Sequence, residues 1–171
     1  MSNKILIVVD MQNDFVTECL GTAEAQAIVP NVKRKIEEYI SRGDQVIFTR
    51  DTHHKNYLDS HEGKYLPVPH CIEGTHGWQI VSEIDNPECM HLNKLTFGYM
   101  GWDLRLENPS EIELIGVCTD ICVVSNALIL RAMFRNIDIT VDASCCAGVT
   151  PEKHKAALEV MKSCQINVIG E

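Results

Sequence analysis

Hydrophobic positions along the chain fall into two rhythms that alternate. Lys4-Ile5-Leu6-Ile7-Val8-Val9 is an unbroken apolar run of strand length, rich in β-branched residues. Such a run suits a strand buried on both faces, as in a parallel sheet. Residues 30–42 set Val32, Ile36, Tyr39 and Ile40 at helical spacing, with Pro30 suited to a first turn and Gly43 to a stop. Residues 45–49, 90–94, 111–116, 137–141 and 167–169 read as further strands. Between them, 100–106 predicts a helical turn or two, 120–134 a strongly apolar helix, and 151–164 an amphipathic helix with Thr150 as N-cap. Residues 50–76 show no clear period and are rich in His, Gly, Pro and Asp. A loop of that length inside a compact domain signals function or disorder.

Strands alternating with helices predict an α/β fold with a mainly parallel six-stranded sheet, helices on both faces in three Rossmann-like layers, and right-handed crossovers. The 171 residues fit one domain, 1–171, with a metal and substrate loop at about 50–77. No internal repeat, low-complexity segment or linker interrupts it. Ligands of such sheets bind at the carboxyl ends of the strands, so residues just after strands are the first candidates for chemistry.

Composition narrows the function classes. A net charge of -9 without any Lys/Arg-rich run argues against nucleic acid and anionic membrane surfaces as partners. Met1-Ser2-Asn3-Lys4 leads into an apolar run too short for a signal segment, and no stretch has the length of a membrane span. Eight cysteines would suggest a disulfide framework in a small secreted chain, but several sit inside apolar runs, where free Cys behaves as a small hydrophobe. The expectation is a reducing cytoplasm and mostly free thiols, with the adjacent Cys145 and Cys146 as buried strand-end thiols.

Asp10 directly follows the first strand, where partial desolvation raises a carboxyl pKa and makes it a better base; a turn or N-cap aspartate would look the same. Gly116-Val117-Cys118-Thr119-Asp120-Ile121-Cys122 joins the fourth strand to the apolar helix and sets Cys122 in its first turn. There the helix dipole favours thiolate, and the amides could hold an oxyanion; the alternative is an inert buried Cys. Cys118 and Cys122 are also spaced i, i+4, but two ligands alone make a weak metal site. Lys94 ends the third strand. Asp10, Lys94 and Cys122 each follow a different strand, so all can converge on one sheet edge. In the long loop, Asp51-Thr52-His53-His54, His61-Glu62 and Pro69-His70-Cys71 offer mixed O and N ligands for Zn, Fe or Mn, or else a polar loop with surface histidines.

Asp10-Met11-Gln12-Asn13-Asp14-Phe15, Lys94 and Gly116-Val117-Cys118-Thr119-Asp120-Ile121-Cys122 together resemble the isochorismatase-like cysteine hydrolases, over nearly the whole chain and in family order. Asp51-x-His53 and Pro69-His70-Cys71-Ile72-x-Gly74-Thr75-x-Gly77 look like the nicotinamidase branch. The resemblance implies a Cys122, Asp10 and Lys94 triad. It implies a divalent metal, zinc first and iron or manganese as alternatives, on Asp51, His53 and His70 with Glu62 as a further ligand. It also implies a cis peptide between Val117 and Cys118 that aims the Cys118 and Cys122 amides into an oxyanion hole. Phe15 matches an aromatic of the substrate pocket, and Leu66 and Tyr99 are further candidates. Where many nicotinamidases carry Trp or Phe three residues before the last metal His, this chain has Pro67, so Tyr65, Tyr99 or Trp102 is expected to supply the wall.

The implied reaction is hydrolysis of a small-molecule amide, nicotinamide to nicotinate and ammonia, through a Cys122 thioester. The rivals are another isochorismatase-like amidase or hydrolase with a different small substrate, a hydrolase in which the metal cluster does the chemistry, and a non-enzymatic binding module. Apolar residues Val123, Val124, Leu128, Ile129 and Leu130 exceed one helix face, which points to burial or to a homo-oligomer.

Overall fold

The computed structural model describes residues 3–171; Met1 and Ser2, the start of the lead-in noted above, lie outside the described residues. The six strands are β1 (Lys4–Val9), β2 (Gln45–Asp51), β3 (Met90–Lys94), β4 (Glu111–Val117), β5 (Asp138–Ala147) and β6 (Asn167–Ile169). They form one sheet in the order β3-β2-β1-β4-β5-β6, and every neighbouring pair is parallel. The helices are α1 (Asn13–Val16), α2 (Ala23–Ser41), α3 (His61–Tyr65), α4 (Val124–Met133) and α5 (Pro151–Ser163).

The apolar run of β1 is split between the two sheet faces, as a period of two demands. Ile5, Ile7 and Val9 pack with Ala127 and Leu130 of α4 and Leu158 and Met161 of α5. Leu6 and Val8 pack on the other face with Ile28, Val32, Ile36 and Tyr39 of α2. This is the expected three-layer arrangement. Val124, Leu128 and Ile129, the surplus apolar residues of α4, are half-buried against the first of these cores.

Chain order reverses on either side of β1, between β2 and β4. That places the crevice of an open parallel sheet above the ends of β1 and β4. Gly116 matters at this point. It pairs with Val9 of β1 and borders the register shift between β4 and β5, its φ is +115°, and a Cβ there would lie 2.2 Å from the Val9 carbonyl oxygen. Only glycine lets the two strand ends approach so closely.

Three elements differ from the sequence expectation. Helix α2 starts at Ala23, not near Pro30, because Thr22 caps it by accepting from the Ala25 amide at 3.0 Å. The spacing of Ala25, Ile28 and Val32 runs straight through Pro30, which faces solvent inside the helix. The apolar helix begins not as an α-helix at Asp120 but as a π-helical turn over Thr119–Val123, with the Val123 amide donating to the Cys118 carbonyl at 3.1 Å. Such turns often occur at functional sites. The 50–76 loop is partly ordered by Tyr57–Asp59, a 3-10 turn, and by α3.

Candidate active site

Four successive sheet neighbours end at one place: Asp10 follows β1, Asp51 and Lys94 close β2 and β3 as register partners, and Cys122 lies in the turn after β4. Lys94 Nζ is 2.7 Å from Asp10 Oδ2 and 3.4 Å from Asp51 Oδ1, and it donates to Cys122 Sγ at 3.5 Å and to the Thr96 carbonyl at 3.2 Å. Neither the Lys94 nor the Asp10 side chain reaches solvent. The Thr49 hydroxyl donates to Asp10 Oδ1 at 2.7 Å, and the Asp10 backbone is held at φ +48°. A non-glycine residue in that left-handed region is uncommon outside sites that require it.

Burial sets the electrostatics. It raises the Asp10 pKa, with Lys94 opposing. Burial would lower Lys94, but Asp10, Cys122 and Asp51 together hold it above the ordinary lysine range. Burial and then the Asp10 charge push the Cys122 thiol well up, against Lys94. At a residue only 4% exposed, burial thus acts against the thiolate that the helix start would favour. The Val117–Cys118 peptide is cis, as the resemblance implies.

The second cluster is also assembled. Asp51, His53, Glu62 and His70 bring one ligand atom each within 4.8 Å of one another. His53 Nε2 is 3.0 Å from Asp51 Oδ2, and His70 Nε2 is 3.7 Å from that oxygen and 3.6 Å from Glu62 Oε1. His70 Nδ1 donates to the Val68 carbonyl at 2.8 Å, which turns Nε2 toward the cluster. Two imidazoles and two carboxylates suit a divalent zinc, iron or manganese ion with coordination positions to spare. Glu62, on α3, faces inward, whereas its neighbour His61 is exposed and packs on Tyr65 at 5.0 Å between ring centroids.

A cavity of about 350 Å³ joins the two clusters: Cys122 and Cys118 line one side, and Asp51, Glu62 and His70 another. Phe15 and Leu66 line it as expected. Tyr99 does not. Its amide donates to Asn126 Oδ1 at 2.9 Å, and its ring packs edge-on against Trp102, which is itself buried in the core. Pro67 is exposed and away from the cavity, and the aromatic walls are Phe15, Tyr65 and Phe97.

Several supporting residues escaped the sequence reading. Gln12 is fully buried and clamps the Asp51 backbone from both sides, its Nε2 donating to the Asp51 carbonyl at 2.9 Å and its Oε1 accepting from the Asp51 amide at 2.7 Å. Asn126 donates to the Cys122 carbonyl at 2.8 Å and to the Phe97 carbonyl at 3.2 Å. An Asn inside a run as apolar as 121–130, four residues after Cys122, was the available signal.

All eight cysteines are free thiols, and no helix among the described residues is long and apolar enough to cross a membrane.

Known proteins share this fold. The isochorismatase domain model matches residues 4–170. An isochorismatase family protein of Bacillus subtilis (strain 168) is 31% identical, covering 91% of this chain and 92% of its own. The nicotinamidase/pyrazinamidase of Mycobacterium tuberculosis is 26% identical, covering 97% and 98%. The crystal structure of the Pyrococcus horikoshii pyrazinamidase in complex with zinc superimposes with a TM-score of 0.83 at 28% identity, covering 99% of each chain. With its parallel sheet, its site at the strand ends and a match that runs almost end to end, the chain belongs to the isochorismatase family, on its nicotinamidase/pyrazinamidase-like branch.

Proposed function

We propose that the chain is an amidase, acting as a single cysteine-hydrolase domain, which cleaves a small carboxamide of the nicotinamide type and releases ammonia. The observation that carries this is the convergence of Asp10, Lys94 and Cys122, with Lys94 Nζ 2.7 Å from Asp10 and 3.5 Å from Cys122 Sγ, beside a cavity lined by Cys122. Nicotinamidase and pyrazinamidase relatives support the substrate class.

In this reading Asp10 takes the Cys122 proton as Sγ attacks the amide carbon, and the amides of Cys118 and Cys122 hold the oxyanion. The tetrahedral intermediate collapses as Asp10 passes the proton to the leaving nitrogen. Ammonia departs and a thioester remains. Asp10 then deprotonates water, which attacks the thioester and frees the carboxylic acid and the Cys122 thiol. Lys94 stays charged throughout and stabilises whichever neighbour carries the negative charge. Asp51, His53, Glu62 and His70 would hold a divalent ion, zinc first; when bound, it supplies a Lewis-acidic anchor for a ring nitrogen of the substrate.

The test is ammonia release from nicotinamide by metal-replete protein, with Cys122→Ala as control. Release by the wild type alone is expected. Equal release by Cys122→Ala would overturn the reading. A second reading keeps the chemistry and changes the amide, because Tyr65 and Phe97 rather than residue 67 supply the cavity wall. It predicts turnover of other small amides in preference to nicotinamide.

A further inference from the structure

We infer that Asp14, a buried carboxylate outside the triad and the ligand set, is a positioning residue for both histidine ligands of the metal cluster. The inference rests on the reading of Asp51, His53, Glu62 and His70 as ligands, but not on any substrate.

Asp14 sits in the first turn of α1 and is 8% exposed. Its Oδ2 accepts the Cys71 amide at 2.7 Å, and its Oδ1 accepts the Cys19 thiol at 3.3 Å. Cys71 immediately follows His70 and has φ +47°, a left-handed conformation that a residue with a Cβ adopts only under constraint. Its carbonyl in turn accepts the His53 amide at 2.9 Å. One peptide unit on either side of the Cys71 Cα therefore binds Asp14, and the other binds His53. The Asp14 carboxylate fixes the turn that aims His70 inward, and the same turn sets the height of His53. The segment is pinned further where the Asp14 amide donates to the Gly77 carbonyl at 3.0 Å. Gly77 is required there, since a Cβ would lie 2.2 Å from Asp14 Oδ2. Cys19 also reaches the Pro69 carbonyl at 3.8 Å, so Asp14 and its neighbour bracket His70 on both sides. A charge-assisted bond to a backbone amide is stronger than a neutral one, which suits it to holding strained backbone.

Removing an outer partner of a metal ligand typically lowers affinity by about 10–100-fold. The test is zinc affinity of the apo protein, measured by competition with a chromogenic chelator, for wild type, Asp14→Ala, Asp14→Asn and the double variant Asp14→Ala/Cys71→Gly. Asp14→Ala is expected to bind zinc at least about tenfold more weakly. Asp14→Asn keeps an acceptor oxygen but loses the charge, so its affinity is expected to fall between those of wild type and Asp14→Ala. In the double variant glycine adopts the left-handed conformation unaided, so part of the loss should be recovered. That rescue separates backbone positioning from general destabilisation. If Asp14→Ala does not fold, the double variant and Asp14→Asn against wild type carry the comparison. Wild-type affinity in Asp14→Ala, or in the double variant no better than in Asp14→Ala, would overturn the inference. Zinc binding with the expected order but no amide turnover would leave the inference standing and overturn the proposed function instead.

Discussion

Lys94 Nζ lies 2.7 Å from Asp10 Oδ2 at a depth where neither side chain touches solvent. An ion pair so buried gives little net stability, because desolvation offsets most of the attraction, but breaking it from one side leaves an uncompensated charge. Lys94 also touches Asp51 and Cys122, so it ties the second cluster to the cysteine.

Lys94→Met should therefore cost about 3–5 kcal/mol in urea unfolding, as loss of one buried partner does. The double variant Asp10→Asn/Lys94→Met should recover a good part of that cost. Strictly additive costs would show that the two groups are not coupled. Both variants should lack turnover.

Thr49→Val should move the acid limb of the pH-rate profile upward. Burial raises the Asp10 pKa, and the Thr49 hydroxyl acts the other way by donating to the ionised carboxylate. Without that bond the carboxylate is less favoured and the pKa rises. Activity that needs ionised Asp10 then fails at a higher pH. A bond worth about 0.5–1.5 kcal/mol corresponds to a shift of up to about one pH unit in kcat/KM. An unmoved acid limb would count against Asp10 as the base.

Glu62→Gln should weaken zinc binding by at least about tenfold, whereas His61→Ala should leave it within about twofold. A chelator titration distinguishes them. The sequence alone could not set the register between these neighbours, because loop length is unconstrained by periodicity. The short helix α3 turns Glu62 toward Asp51, His53 and His70 and leaves His61 exposed.

Asp142→Asn should flatten the acid side of the stability curve. Burial would raise Asp142, but Lys35, 2.8 Å away, and Ser144 hold it below the ordinary range. A depressed folded-state pKa gives stability that is present above the unfolded value, about 3.9, and lost as pH falls through the folded value. Wild type should lose stability over that window more steeply than the variant in denaturation at stepped pH. Parallel curves would contradict the assignment.

Asp10, Lys94 and Cys122 could be placed together from the sequence because each ends or follows a different predicted strand, and a parallel sheet gathers such ends on one edge. Asp51 and His53 stood out as ligand candidates through the family resemblance, since the residues alone left a polar loop with surface histidines equally open. Thr49, Gln12 and Asn126 were not, since their partners depend on sheet register and on how loops cross it. Thr49 meets Asp10 only because β1 and β2 pair with Val8 opposite Phe48. Tyr99 was misplaced into the cavity because a tyrosine after a strand end can face either way, and here Asn126 draws its amide toward the core. The start of α2 was hidden by Pro30, whose local preference for a first turn is outweighed by the apolar face running through it.

Acid-quenched mixtures of metal-replete protein and nicotinamide, analysed by intact-protein and peptide mass spectrometry, test the nucleophile most directly. The expected result is a single acyl group from the amide on the peptide that contains Cys122, absent from Cys122→Ala, which also releases no ammonia. Turnover of nicotinamide by Cys122→Ala, with Cys122 of the wild type never acylated, would contradict the assignment of Cys122 as the nucleophile.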